Sequence, residues 1–206
     1  MTGYNSNDQL VDALIQQNSL KSKPLKEAFF NIDRQDFVKK ADLGVAYEDR
    51  PLSIGPEATI SQPTTVAMML EALQLKAGES VLDIGSGSGY ATALIAKTVG
   101  PLGAVLGLEI QADLCGFSRN NLVQYNLEQV SILQAKEEVV GMPGKQFDKI
   151  LVSAAAKQLP EGLLDQLKLE GVLVIPIKSE VWVLTKTSRG EIHKRILGHF
   201  RFVGLK

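Results

Sequence analysis

Val81-Leu82-Asp83-Ile84-Gly85-Ser86-Gly87-Ser88-Gly89-Tyr90 is the stretch on which the fold turns. Its first residues form a short apolar run broken by one acid, as in a buried strand, and the residues from Tyr90 onward carry helical spacing. Three alternating glycines join the two. Glycine accepts positive φ and leaves bare backbone for a ligand, and the helix N-terminus behind it offers unpaired N–H groups. A nucleotide-like ligand is the natural occupant; the plain alternative is a tight strand-to-helix turn.

On either side of this loop the pattern alternates. Strands are expected over 80–84, 104–109, 130–133, 147–152 and 172–177, with helices over 90–99, 112–125 and 163–169 between them. Such alternation predicts an α/β fold, a Rossmann-like doubly wound and mostly parallel sheet with right-handed crossovers. Residues 181–187 and 191–197 flank Ser188-Arg189-Gly190 and predict an antiparallel C-terminal hairpin at the sheet edge. Ahead of the sheet, apolar spacing predicts an N-terminal helical extension: helices over 7–20, capped by Ser6 or Asn7, over 24–32, and over 63–75 opened by Pro63. Residues 35–60 show no sustained period and read as a long ordered loop. No linker or repeat divides the chain, so 1–206 reads as a single domain, with 1–75 on the substrate side and 76–206 as the cofactor-binding core.

The glycine pattern is G-x-G-x-G, and Tyr90 stands where the dinucleotide fingerprint takes a third small residue, which disfavours a pyrophosphate. The loop therefore points to S-adenosylmethionine as cofactor, and so to S-adenosylhomocysteine as product. Glu109 strengthens this. It closes the next strand twenty positions after Gly89, where a carboxylate can accept from both ribose hydroxyls. The candidate cofactor residues are Gly85, Ser86, Gly87, Ser88, Gly89 and Glu109. Asp83 joins them, either reaching the ligand's amino group or only fixing the loop backbone.

Composition removes several classes. The 206 residues carry 22 Lys+Arg against 23 Asp+Glu, with 45% hydrophobic residues, the balance of a chain that buries one sizeable core. The longest apolar run, 171–177, falls far short of the roughly 18 residues a membrane helix needs. The polar start shows no secretory or transit pattern, which sets a cytoplasmic location as the expectation. A lone cysteine, Cys115, permits no internal disulfide and no multi-thiolate zinc site; no metal is expected. A net charge of -1 argues against broad nucleic-acid binding. His193 and His199 read as surface or packing residues, with no Ser-His-Asp set around them.

The segments before the loop then take on meaning: Arg34-Gln35-Asp36-Phe37-Val38, Ala46-Tyr47-Glu48-Asp49-Arg50-Pro51-Leu52, Ile54-Gly55 and Thr59-Ile60-Ser61-Gln62-Pro63. Together with the loop they resemble the protein-L-isoaspartate O-methyltransferase family. The match continues through Phe147-Asp148-Lys149-Ile150, Ala154-Ala155-Ala156 and Val174-Ile175-Pro176, and so covers nearly the whole chain. The resemblance implies methyl transfer from S-adenosylmethionine to the free carboxylate of an isoaspartyl residue in a damaged protein. The ester then collapses to a succinimide, and repetition restores aspartate. Isoaspartyl proteins and peptides would be the only partners, met by a monomer. A carboxylate with a pKa near 4 is already ionised at neutral pH, so no dedicated base is required. By resemblance Ser61 holds the substrate carboxylate, with Thr59 and Ile60 shaping the same wall and Tyr47, Asp49 and Leu52 lining the peptide cleft. Two plainer roles stay open: Ser61 as the cap of the helix at Pro63, and Asp49 as a turn residue beside Pro51.

Three departures from the family's pattern stand out. Where relatives read I-G-x-G-Q-T-I-S, this chain has Glu57 for a Gly and Ala58 for a Gln. Where the family has Gly-Asp-Gly, with an Asp able to accept from the adenine amino group, this chain has Ala135, Lys136 and Glu137. Lysine is donor-only, so Glu137, Glu138 or backbone would have to compensate. Glu170 and Lys178 stand at two further family glycines. These departures keep two other functions in view: methylation of a different carboxylate, and a non-catalytic protein that binds cofactor or peptide.

Overall fold

In the computed structural model, residues 4–137, 139–160 and 162–205 are described. Glu138 therefore lies outside the described residues, as do 1–3, 161 and 206. Helices α1 (Asn7–Gln16) and α2 (Lys23–Asn31) come first. The Ser6 side chain accepts from the Gln9 N–H at 3.3 Å and caps α1. The helix stops short of the expected residue 20 because Gln17 closes it and Asn18 takes a left-handed φ of 60°.

Residues 35–60 are more structured than their sequence suggests. Two 3₁₀ turns, Arg34–Phe37 and Lys40–Val45, lead into a hairpin of β1 (Leu52–Gly55) and β2 (Ala58–Ile60). Leu52 and Ile54 point inward and Ser53 outward, but four residues of alternation beside a proline give too short a signal to read. Helix α3 (Pro63–Leu73) follows and ends at Gln74, whose φ is 55°.

Among the described residues the main sheet has seven strands in the order β5-β4-β3-β6-β7-β8-β9. They are β3 (Ser80–Ile84), β4 (Ala104–Glu109), β5 (Val130–Gln134), β6 (Phe147–Val152), β7 (Leu167–Ile177), β8 (Glu180–Lys186) and β9 (Ile192–His199). β3 pairs in parallel with both β4 and β6, and the chain reverses direction of winding there. Crossover helices α4 (Tyr90–Val99) and α5 (Ala112–Val123) join the early strands, and the mouth lies at the strands' C-terminal ends. β8 and β9 form the expected hairpin, and β7 with β8 is antiparallel too.

The helix expected over 163–169 is corrected. Only α6 (Gly162–Asp165) is helical there, and Leu167 opens an eleven-residue strand. The leucine spacing suited a helix, but two tertiary contacts win. Leu167 pairs with Phe147 of β6, and the buried Gln166 amide accepts from the Met142 N–H and donates to the Val140 and Gly162 carbonyls. The register then slips before Lys149 pairs Val172, and Glu170 turns through a positive φ of 61° in the bulge. A single apolar cluster runs from Leu10 of α1 through α3 and α4 to Val183 of β8, so the N-terminal helices pack on one face of the sheet.

Candidate functional site

The loop after β3 is held by backbone. Gly85 and Ser86 N–H groups donate to the Leu108 carbonyl at 2.8 and 3.0 Å, and Gly89 N–H returns to Ser86. Gly85, Gly87 and Gly89 take φ values of 80°, 54° and 88°, a region L side chains resist. A fourth glycine matters through space. A Cβ on Gly107 in β4 would sit 2.5 Å from Ile132 and 3.1 Å from the Ser86 Cβ, so its bareness lets the loop lie against the sheet.

Glu109 ends β4 beside this loop. Its carboxylate accepts from the Gly87 N–H at 2.9 Å and from the Gln111 N–H at 3.0 Å, which fixes its orientation while each oxygen keeps a lone pair for a ligand hydroxyl. Asp83 lies one strand away, fully buried. One oxygen accepts from the Thr92 hydroxyl at 2.5 Å, and the other has no partner among the described residues. Burial pushes the Asp83 carboxyl up to about 6, against the Thr92 hydrogen bond and with help from the Glu109 charge.

A cavity opens over the loop, lined by Gly85, Ser86, Gly87, Ser88 and Glu109, with Ile54, Ile60, Met69, Leu108 and Leu151 as apolar wall. Two of the expected cofactor residues, Asp83 and Gly89, are not among its lining residues. Gly89 instead starts α4, where a Cβ would strike the Ser118 hydroxyl at 2.5 Å. Ser86 Oγ and Asp83 Oδ1 are both buried and lack a partner among the described residues; Ser86 is a lining residue of this cavity and Asp83 is not. Orphaned polar atoms beside an apolar slot with one acid suit a nucleoside ligand.

A second cavity adjoins the first and shares Thr59, Ser61, Ser153 and Val203 with it. Ser61 therefore stands at the junction. It is not the cap of α3: the N-cap is Gln62, whose side chain makes no capping bond to the helix, and Asp49 satisfies that terminus from outside. The Asp49 carboxylate accepts from the Thr64 N–H at 2.9 Å, the Thr64 hydroxyl at 2.7 Å and the Gln62 amide at 3.0 Å.

Tyr47, Asp49 and Leu52 do not line either cavity; Leu52 and Asp49 touch residues that do, Ile60 and Gln62 respectively. The Tyr47 hydroxyl donates to Asp33 at 3.0 Å, and burial with that bond raises its pKa. Leu52 is buried and pairs with Ile60. Arg34, fully buried, donates to the Ala46 and Arg50 carbonyls at 2.9 and 3.3 Å and so brackets this segment. Desolvation lowers its pKa to about 10, which leaves it charged at neutral pH.

Sequence reasoning missed the far wall of the second cavity, Ser179 and His199 through Val203. His199 is thus a lining residue as well as a strand end. The only local hint was the alternation Phe200, Arg201, Phe202. What seats this tail is pairing to the end of β6, where Ala155 N–H donates to the Val203 carbonyl at 2.8 Å and Leu205 N–H to the Ala155 carbonyl at 2.9 Å.

Fold and site together define a class, the Rossmann-like methyltransferases that use S-adenosylmethionine. The chain belongs to the protein-L-isoaspartate(D-aspartate) O-methyltransferase family, whose sequence profile matches residues 5–206. It is 39% identical to a protein-L-isoaspartate O-methyltransferase of Ignicoccus hospitalis over 92% of each chain. The corresponding protein of Methanopyrus kandleri is 38% identical, over 96% of this chain and 90% of that one. A crystal structure of a Plasmodium falciparum chain described as a protein-L-isoaspartate O-methyltransferase, in complex with S-adenosyl-L-homocysteine, superposes with a TM-score of 0.88. It is 30% identical over 98% of this chain and 99% of that one.

Proposed function

We propose that this chain methylates the free carboxylate of L-isoaspartyl residues in damaged proteins, with S-adenosylmethionine as methyl donor. The observation that carries the reading is the junction at Ser61, shared by the cavity over the glycine loop and a second cavity walled by His199 through Val203. Bound in the first cavity, S-adenosylmethionine supplies an electrophilic methyl group. Glu109 holds the ribose, and the glycine loop, through its bare backbone, Ser86 and Ser88, holds the remainder of the donor. Asp83 and Gly89 act from behind, setting the loop and the start of α4.

The Ser61 hydroxyl donates to the substrate carboxylate and aims it without adding a charge. Thr59 and Ile60 keep that wall in place, and Tyr47, Asp49 and Leu52 brace it. No side chain has to remove a proton, because the nucleophile arrives ionised. Positioning is the main task, and it can supply several kcal/mol. Glu57 stands in the β1–β2 turn, outside the lining of both cavities. Its carboxylate, which would repel an anionic substrate at close range, is thus not part of the junction. In this reading the chain works as a cytoplasmic monomer.

The test is incubation with methyl-labelled S-adenosylmethionine and matched peptides carrying isoaspartate, aspartate or asparagine. Base-labile label on the isoaspartyl peptide alone is expected. Label on another carboxylate, or none despite cofactor binding, would refute the assignment.

A further inference from the structure

Among the described residues, Glu109 and Lys136 are the only charged side chains lining the first cavity. The strand order places them at neighbouring points: β4 ends at Glu109, β5 runs beside it, and Ala135 N–H donates to the Glu109 carbonyl at 2.8 Å just before Lys136. On the opposite side of the glycine loop lie Ser153, Ser61 and the junction with the second cavity, which Lys136 does not touch.

A methyl donor read into this cavity carries its sulfonium cation at the junction and its ribose at Glu109. Its purine then falls at the Lys136 end, as charge repulsion between sulfonium and ammonium also requires. An ammonium offers three donors and no acceptor. Adenine presents its 6-amino donors beside the N7 acceptor, whereas a 6-oxopurine presents O6 and N7, both acceptors and a known geometric match for lysine, so the two bases differ toward the ammonium at position 6. The Lys136 ammonium is not tied to any described residue by a hydrogen bond or ion pair, so it is available to the base.

We propose that Lys136 makes the purine end of the cavity a reader of acceptor edges, so that a 6-oxopurine nucleoside is held at least as tightly as its 6-amino counterpart. This rests on the first cavity being the cofactor site. The test is titration calorimetry of the full chain with S-adenosyl-L-homocysteine and with S-inosyl-L-homocysteine. Wild type should bind the inosyl compound as tightly as the adenosyl one or more tightly. Lys136→Asp should reverse the order, preferring the adenosyl compound by roughly tenfold or more, as one charge-assisted hydrogen bond allows. Lys136→Met, which removes the ammonium at similar length, should lose the inosyl advantage without gaining the adenosyl one. A tenfold adenosyl preference in wild type, or the same ratio in wild type and Lys136→Asp, would overturn the proposal. Failure of wild type to bind either compound would instead remove the cofactor reading and the proposal with it.

Discussion

Replacing Asp83 by Asn should stabilise the protein, and by an amount that depends on pH. The carboxyl is fully buried, satisfied on one oxygen by Thr92 and unsatisfied on the other among the described residues. Its pKa rises from an ordinary 3.8 to about 6 in the fold. Between those values the native chain keeps a proton that the unfolded chain has released, so the native state binds more protons and stability falls as pH rises. The contribution is whole below pH about 4, is lost progressively up to pH about 6, and is absent above. A rise of that size corresponds to about 3 kcal/mol at neutral pH. Asn is isosteric with the neutral acid and can donate to the Thr92 oxygen. Asp83→Asn should therefore match wild type near pH 4 and exceed it by about 2 to 3 kcal/mol at pH 7. Urea denaturation at half-unit steps from pH 4 to 7 measures this, because the difference between the two profiles isolates one group from all other titrations. Parallel profiles would refute the reasoning and show that Asp83 does not titrate in this window.

Two other outcomes follow from the backbone and the junction. Glu57, Glu170 and Lys178 hold φ values of 51°, 61° and 55°. A left-handed L residue costs about 1 to 2 kcal/mol, of which the flexibility of Gly in the unfolded chain returns roughly half, so each change to Gly should add about 0.5 kcal/mol. The triple variant should raise the urea midpoint with an unchanged slope; a lower midpoint would show that side-chain contacts outweigh backbone strain. Ser61→Ala should lower turnover on an isoaspartyl peptide roughly ten- to hundredfold, the worth of one hydrogen bond to a carboxylate. Its dissociation constant for S-adenosyl-L-homocysteine should stay within about twofold; equal losses in both would make Ser61 a structural residue.

The parts of this protein that could be read in advance are those whose physics is local. Residues 81–90 announce a strand, a loop and a helix within ten positions, and Gly85, Gly87 and Gly89 adopt the positive φ values their spacing implied. Glu109 needs only the end of one strand to reach Gly87. The N-terminal wall is different in kind. Asp49 looks like a turn residue beside Pro51 until Thr64, fifteen positions on, donates to it twice and ties it to the first turn of α3. The second cavity is still less local, because His199 through Val203 reach it only after Ala155 has captured the tail. Lengths of alternation too short to read and pairings too distant to see account for these misses alike.

The three family glycines replaced by Glu57, Glu170 and Lys178 show the converse: there the backbone keeps the left-handed turn although the residue best suited to it is gone. Two of those turns are visibly held from outside: Lys178 N–H donates to the Ala156 carbonyl at 2.9 Å, and Glu170 sits in the bulge between two paired ends of β7. A conformation fixed by its neighbours tolerates a residue that would not choose it, at a local cost in stability. Lys136 falls in a different category. Its ammonium has no hydrogen-bond or ion-pair partner among the described residues to absorb the change, and the residue is part of the cavity lining. The backbone departures therefore bear on stability, and the cavity departure on the charge of the cavity wall.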